Sequence, residues 1–442
     1  MIDLCIHNVT TYIDGSWRTS SLSVDAGKIV SFDRERARLV VDAEGKRCLP
    51  GAVDLHVHFN EPGRTHWEGF ATGALAAAAG GATFVVEMPL NSIPSTVSTQ
   101  DLATKLSAIA SKSMIDFGLW GGLVPGNVNQ IAPLAKAGVA GFKAFMSPSG
   151  TDDFQNSDYA TLKAGMKEIA HTGKLLAIHA EDPQVLDTVD FAGRTRISAF
   201  DWEYSRPVEA EIKAVEIAME LSQETGCPIH IVHVSSPAVL DRIALGKQAG
   251  VKVTCETCPH YLLLSTEDAH RIGPNAKCAP PLRPEETRLA LWQALDQGKL
   301  DTIGSDHSPC PPDMKTGSPF YDAWGGISGL QHGLPLLWNF GRQDEARFAK
   351  LISLTCAQPS ALISLPNKGA LKIGYDADFV LVEELPSPLS IDADSLLYRH
   401  RHSAYCGLKT RYRISETWQR GRCLLRDGKA VAPPAGTFIA FN

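Results

Sequence analysis

No stretch of this 442-residue chain approaches the roughly 20 consecutive apolar residues that a bilayer-spanning helix needs. The opening segment, MIDLCIHNVT, lacks the basic start and long apolar centre of a secretory leader and reads as an alternating strand. Positive charge is not in excess. The 42 Lys and Arg stand against 49 Asp and Glu, a formal net charge of −7, which argues against a nucleic-acid or anionic-membrane partner. Dense cysteine spacing is missing too. Ten cysteines scatter from Cys5 to Cys423, and Cys255 with Cys258 makes one C-x-x-C with no second pair at zinc-ribbon spacing. A structural zinc knot is therefore not expected; free buried thiols in a reducing cytoplasm are. Internal repeats, low-complexity tracts and long linkers are also absent. What remains, 44% hydrophobic and 21% charged, is the composition of a soluble globular protein long enough for a large core.

The two ends of the chain are alike. Residues 1–50 hold short strand patterns such as IDLCIHNVT and SLSVDAGKIVSF, with turns marked by Gly27 and Gly45. Residues 368–442 repeat that chemistry in GALKIGYDADFVLVEE and SETWQRGRCLLRDGKAV. Neither end is long enough for a core of its own, so the two are expected to pair into one small β-sandwich. The middle, residues 51–367, alternates. Apolar strand candidates fall at 52–57, 83–87, 115–119, 139–145, 175–179, 229–233, 251–256 and 301–305. Helical patterns such as SDYATLKAGMKEIAHTG and PVEAEIKAVEIAMELSQETG lie between most of them, several ending in Gly. Eight such units predict an α/β fold, a parallel (β/α)8 barrel, inserted between the halves of the sandwich.

In such a barrel the reactive groups collect at the C-terminal ends of the strands. The first strand ends in LHVH, and residues i and i+2 of a strand share a face, so His56 and His58 lean into one spot. Strand 4 carries Lys143, strand 5 ends at His179, strand 6 at His233, and strand 8 at Asp306. Imidazole and carboxylate are ligands that suit zinc and its neighbours. His230 falls on the opposite strand face from His233. His66, His171, His270, His400 and His402 fall in helices or loops and read as structural; His260 and His307 lie near the rim and stay undecided. Lys143 has two readings of equal weight. One is a salt bridge. In the other the buried amine loses its proton and takes up CO2 as a carbamate, a two-oxygen anion able to bridge two cations.

The His-x-His after the first strand, the lysine of GFKAF, single histidines on strands 5 and 6 and the strand-8 aspartate together resemble the cyclic amidohydrolases. That group includes dihydroorotase, hydantoinase, dihydropyrimidinase and allantoinase, and the resemblance covers essentially the whole chain. It implies a binuclear centre of two divalent cations, zinc first, with cobalt, manganese or iron also accepted. His56, His58 and Asp306 would hold one ion, His179 and His233 the other, and carboxylated Lys143 would bridge them. It also implies that a metal-bridging hydroxide opens a ring amide, with Asp306 as general base and then general acid.

Within the group, position 60 is informative. Dihydroorotases typically read His-x-His-x-Arg, the arginine serving the substrate carboxylate; here Asn60 stands instead. The histidine they place four residues after the aspartate is Cys310 here, and MPLNS replaces their MPNT. Hydantoinases usually carry a tyrosine in the loop after the lysine, where this chain has MSPSGTDDF. FNEPGRTHWEGFATG, GFKAFMSPSGTDDF, SDHSPCPPDMK and AWGGISGLQ look like the allantoinase branch. The expected substrate is then allantoin, a neutral cyclic ureide, hydrolysed to allantoate. Another neutral cyclic ureide, acted on by a hydantoinase or dihydropyrimidinase, is the alternative, and a metal-free scaffold a more distant one. Asn60, Ser308 and the backbone near Cys278 are the substrate-contact candidates. Loops 147–156 and 310–324, rich in Pro, Gly, Ser and Asp, are expected to act as lids. Relatives of this kind are commonly homotetramers.

Overall fold

The computed structural model describes residues 1–13, 16–192 and 194–441. The first strands are β1 (Ile2–Ile13), β2 (Ser16–Asp25), β3 (Lys28–Ser31), β4 (Ala37–Asp42) and β5 (Arg47–Pro50). Next come β6 (Ala52–Val57), β7 (Ala82–Glu87), β8 (Asp116–Leu119), β9 (Gly121–Gly122), β10 (Phe142–Phe145) and β11 (Leu176–His179). β12 (Ile229–Ile231), β13 (Val253–Thr257) and β14 (Thr302–Ile303) complete the central set. The last are β15 (Phe379–Ser390), β16 (Lys409–Gln419), β17 (Arg422–Arg426) and β18 (Lys429–Ala430).

β6 to β14 form the barrel. Every pair is parallel, in the orders β6-β7-β8 and β9-β10-β11-β12-β13-β14. β8 and β9 are one barrel strand interrupted at Trp120, whose indole Nε1 donates to Leu55 O at 2.8 Å. A parallel bridge between Val57 and His307 closes the ring. Strands covered on both faces need no polar alternation. Accordingly β6, β7, β8, β10 and β11 are buried at every residue.

Helices pack outside. Tyr159–Thr172 and Val208–Thr225 match the two helical patterns quoted from the sequence, and Phe70–Ala79 and Glu285–Asp296 are further helices. Asp158 caps Tyr159–Thr172 by accepting from Thr161 N, and Gly173 ends it at φ 71° in the left-handed region. Val208–Thr225 buries Ala210, Ala214, Ala218 and Leu221 along one face, the i, i+4 spacing of a core-facing stripe. Cutting fully buried Leu221 to alanine would cost about 2–5 kcal/mol.

The chain termini build a nine-stranded sheet, β18-β17-β16-β15-β5-β1-β2-β3, with β4 also on β1. β1 pairs with β4 over Ile2 to His7 and with β5 at Thr10 and Thr11, so the sheet forks midway along β1. Between its arms lie Leu4, Ile6, Val24, Ile29, Phe379 and Trp418, a separate apolar cluster and the core of the small sandwich. β15 runs antiparallel to β5 and zips the two ends together. Lys368 pins this zip to the barrel. Its Nζ lies 3.0 Å from Asp116, 2.9 Å from Asp376 and 2.7 Å from Asp378. The last residues then leave the sheet: Phe438 bridges to Phe117, and Lys174 Nζ donates to Phe441 O at 2.8 Å on the barrel. No helix among the described residues is long and apolar enough to cross a membrane.

Candidate metal centre

The strand ends meet in one cavity of about 440 Å³ at the C-terminal rim, with His56, His58, His179, His233 and Asp306 in its wall. His56 Nε2 lies 3.2 Å and His58 Nε2 3.4 Å from the same oxygen, Asp306 Oδ1. The ring of His233 is 5.6 Å from that of His56 and 4.6 Å from that of His179, centroid to centroid. His179 stacks on Phe145 at 4.5 Å and 13°. Phe145 in turn lies 4.9 Å from Lys143 Nζ, which places the amine beside this pair. Five of the six groups named from the sequence thus line one cavity; Lys143 is not in its wall, but its charge acts on His58, His179 and His233.

Backbone strain helps to aim two of them. β12 stops at Ile231, and His233 beyond it sits at φ 43°; Asp306, beyond β14, sits at φ 44°. The left-handed region is unfavourable for residues with a Cβ, by about 1–3 kcal/mol, and is held where the surroundings enforce it. Here Ser305 does part of this: its amide donates to Asp54 Oδ1 at 3.1 Å and its hydroxyl to His56 O at 3.2 Å. His58 N donates to His307 O at 2.8 Å across the barrel closure.

The protonation states favour ligation, which needs neutral imidazole and ionised carboxylate. Burial lowers His58 and His179 below the ordinary histidine value, with Asp306 and Glu181 opposing it respectively. Burial, joined by His179 and Lys143, lowers His233 much further. For Asp306 burial pushes upward, but His56 and His58 outweigh it and hold the carboxyl well below the usual range. Lys143 is the clearest case. It has no exposed surface, its Nζ has no hydrogen-bond partner, and burial brings it from 10.5 down to about 7. A buried ammonium with no ion pair is costly. For the salt-bridge reading, Lys143 Nζ finds no hydrogen-bond partner among the described residues, although the charges of Asp306 and Glu256 act on it.

Two carboxylates complete the arrangement. Glu256 Oε1 accepts from His56 Nδ1 at 2.8 Å, which leaves Nε2 as the free lone pair beside Asp306. Burial raises Glu256, but His230 and His56 beside it bring it to about 2. Glu181 Oε2 accepts from His179 Nε2 at 2.7 Å, which leaves Nδ1 free. Asn91 Nδ2 lies 3.4 Å from His58 Nδ1. None of these three was named from the sequence. Glu256 carried a signal, an acid inside an apolar core strand that must find a partner. Glu181 follows His179 at i+2. Asn91 carried none beyond the MPLNS segment. His230, read as facing away from His233, donates or accepts with Thr254 Oγ1 at 2.8 Å, and its Nε2 is 3.8 Å from Glu256.

The remaining candidates divide. Ser308 and Cys278 line the cavity; Asn60 does not. Asn60 is fully buried at φ 64° and donates through Nδ2 to Pro309 O at 3.3 Å. His307 is buried against Tyr398, with ring centroids 4.9 Å apart. His260 is buried with neither ring nitrogen partnered, and Cys258, His260 and Asp306 bring donor atoms within 4.8 Å of one another. The same holds for His56, His58 and Asp306. All ten cysteines are free. The cavity wall also includes Trp202, Arg206, Lys277 and Trp324, none of them named from the sequence. The loop over residues 310–324 is anchored. Lys315 Nζ donates to Pro274 O, Trp324 O and Gly326 O at 2.9, 2.7 and 2.8 Å, and Lys277 Nζ to Ala323 O at 2.7 Å. Within the other loop, Ser149 Oγ donates to Phe154 O at 2.6 Å.

The donor set fits divalent cations: His56, His58 and Asp306 bring donor atoms within 4.8 Å of one another, His56 and His179 each have a carboxylate on one ring nitrogen, and the buried Lys143 amine is left without a hydrogen-bond partner. A parallel barrel with this rim and a sandwich from both termini belongs to the amidohydrolase family, whose model matches residues 47–424, and the chain is a hydrolase of cyclic amides. Among relatives, it is 45% identical to an allantoinase of Rubrobacter xylanophilus, over 97% of this chain and 96% of that protein. It is 43% identical to an allantoinase of Bacillus velezensis, over 99% of this chain and 97% of the other. Among solved structures, the L-hydantoinase (dihydropyrimidinase) of Arthrobacter aurescens matches it with a TM-score of 0.94 at 30% identity, covering 100% of both chains.

Proposed function

We propose that the chain hydrolyses the ring amide of allantoin to give allantoate, using two divalent cations. The observation that carries this reading is Lys143. Its amine has no hydrogen-bond partner and burial lowers its pKa to about 7; the neutral amine is the species that adds CO2: an N–C bond forms, one proton leaves, and a carbamate anion remains. His56, His58 and Asp306 would hold one ion, His179 and His233 the other, and the carbamate of Lys143 both; zinc suits these ligands, as do cobalt, manganese and iron. Bound there, the ions would polarise the scissile carbonyl and lower the pKa of the attacking water.

The chain's own groups supply the rest. Asp306, ionised and at the cavity wall, accepts the proton of the attacking water. As the C–O bond forms and the ring C–N bond breaks, it returns that proton to the leaving nitrogen. The new carboxylic acid then ionises. Glu256 and Glu181 keep His56 and His179 in the tautomers that leave a lone pair toward the cavity. Ser308 and the backbone at Cys278 offer polar contacts to a neutral ring. Asn60, standing where the dihydroorotase arginine would be, is fully buried and outside the cavity wall.

Support for allantoin over hydantoin or dihydropyrimidine comes from the curated relatives, which are allantoinases over nearly the whole chain. The structural neighbour named a hydantoinase is at lower identity, 30%. The test is ring opening on allantoin, hydantoin, dihydrouracil and dihydroorotate, with metal content and light-scattering mass measured on the same sample. A preference for allantoin with close to two ions per chain is the expected result, in a homotetramer of cytoplasmic type. Faster turnover of hydantoin or dihydrouracil would overturn the substrate while leaving the centre in place.

A further inference from the structure

A continuous polar chain runs behind half of the donor set. Glu181 has no exposed surface. Its Oε2 accepts from His179 Nε2 at 2.7 Å. Arg206, just past the helix Ala199–Ser205, grips the same carboxylate with Nε to Oε1 at 2.8 Å and Nη2 to Oε2 at 2.5 Å. This two-point contact fixes the carboxylate plane as well as its charge. The chain continues through backbone. Arg283 Nη1 donates to Arg206 O at 2.7 Å, and its Nη2 to Glu211 Oε1 at 2.7 Å. Glu211 Oε2 accepts from Ser235 N at 3.2 Å, two residues beyond His233. The segments that follow β11 and β12, which carry His179 and His233, are thus tied to each other. His56 and His58 are tied elsewhere, to Glu256 and Asn91.

We propose that Arg206 and Glu181 are positioning residues for one cation of the pair only: Arg206 clamps Glu181, Glu181 takes the Nε2 proton of His179, and the Nδ1 lone pair is thereby presented to the ion shared with His233. The inference rests on the two-cation reading above. Its content is an asymmetry. Two carboxylates, Glu181 and Glu256, each specify one ion, through networks that share no side chain.

A rival role for Arg206 is direct contact with substrate, since it lines the cavity and lies 5.1 Å from the ring of Trp202, also in that wall. The two roles separate experimentally. The metal-stripped full chain is titrated with Co2+, whose visible absorption reports each ion in turn, for wild type, Glu181→Gln, Arg206→Met, Arg206→Lys and Glu256→Gln. Loss of a partner behind a ligating histidine weakens metal binding about 10–100-fold. Glu181→Gln should weaken one ion by that range and leave the other within about twofold of wild type. Glu256→Gln should do the reverse. Arg206→Met should weaken the same ion as Glu181→Gln, and Arg206→Lys should recover part of the loss.

Equal weakening of both ions in Glu181→Gln would overturn the proposal. So would an Arg206→Met protein with wild-type Co2+ affinity and a raised KM for allantoin. Glu181→Gln keeps the shape of the side chain while removing its charge and one acceptor oxygen, so it stands as the second variant if Arg206→Met fails to fold. A wild-type chain that takes up fewer than two ions would instead strike the two-cation reading, and this inference with it.

Discussion

Replacing Lys143 by methionine separates what the buried amine costs from what it is for. Burial is the main force on it and brings it from 10.5 to about 7, with Asp306 and Glu256 acting the other way. A displacement of that size amounts to about 5 kcal/mol of instability in the metal-free protein, as an upper bound. Its pH dependence has a definite sign. Below about pH 7 the amine is charged in folded and unfolded chains alike, and the whole cost is present. Between about 7 and 10.5 the unfolded chain keeps the proton and the folded chain does not, so stability rises by about 1.4 kcal/mol per pH unit. Above that range neither holds it and the cost is gone. Lys143→Met removes the amine and fills much of its volume. It should therefore stabilise the metal-stripped protein most near pH 6, by about 3 kcal/mol near pH 8, and hardly at all near pH 10. Denaturant midpoints of stripped wild type and variant at those three pH values measure this. In parallel the variant should lose bound metal and activity. Lys143→Ala should do likewise, with short carboxylic acids restoring part of both. A stripped variant less stable than wild type near pH 6, or a gain that does not change with pH, would refute the burial argument. A full complement of metal would refute the bridge.

Asp306→Asn should lower kcat on allantoin by about 10²-fold or more, and metal analysis of the same sample separates lost proton transfer from lost binding; an asparagine variant with a tenth of normal activity would remove Asp306 from that role. Stripping the protein with a chelator should abolish ring opening and re-addition of zinc, cobalt or manganese should restore it, whereas an undiminished rate after metal analysis reads zero would contradict the two-cation mechanism. Lys315→Met leaves three carbonyls short of a donor, at about 1–3 kcal/mol each where they stay buried; KM should rise and proteolysis within 310–324 should speed up, and unchanged cleavage would show that the loop has other anchors. Lys368→Met strands Asp378 without its cation at 2.7 Å and should cost about 3–5 kcal/mol. Burial already raises Asp378, so the folded variant should bind a proton there more readily than the unfolded chain, and its deficit in melting temperature should be smaller near pH 5 than near pH 8; an equal deficit at both would exclude that carboxylate as the cause.

Much of this frame was legible in the residues because burial on both faces leaves a plain mark. VVE, FKAF and AIH have no polar alternation, and each lies within a buried barrel strand. The pairing of the ends was legible for a different reason: neither half has enough apolar residues to close a core, and the cluster of Leu4, Ile29, Phe379 and Trp418 draws on both. The observed strands are shorter than the apolar runs where function intervenes. β12 ends at Ile231 although the run continues to His233, and β14 is only Thr302–Ile303. At both places the chain leaves regular structure into a left-handed residue that holds a candidate ligand. Apolar patterning cannot report that departure, because Val232 is as buried as the residues before it.

The groups that orient the histidines were hidden for a related reason. A strand-end histidine announces itself, since its position on the rim follows from the period of two. The partner of its second nitrogen can come from anywhere in the chain. Glu256 is 200 residues from His56, and Arg206 is 25 from Glu181. Nothing local distinguishes Arg206 from the nearby Arg194 and Arg196, and only the fold brings its guanidinium onto Glu181. Whether the loops act as lids is hidden on the same ground. Pro, Gly and Ser mark residues 310–324 as irregular, but whether such a segment moves depends on what it bonds to. Lys277 and Lys315, two buried cations with backbone carbonyls as partners, turn it into a wall. An irregular segment held in this way can fix the outline of a cavity, and if it does so here, exchange of Trp202 or Trp324 in the cavity wall should change selectivity among cyclic ureides more than it changes the rate of the bond-breaking step.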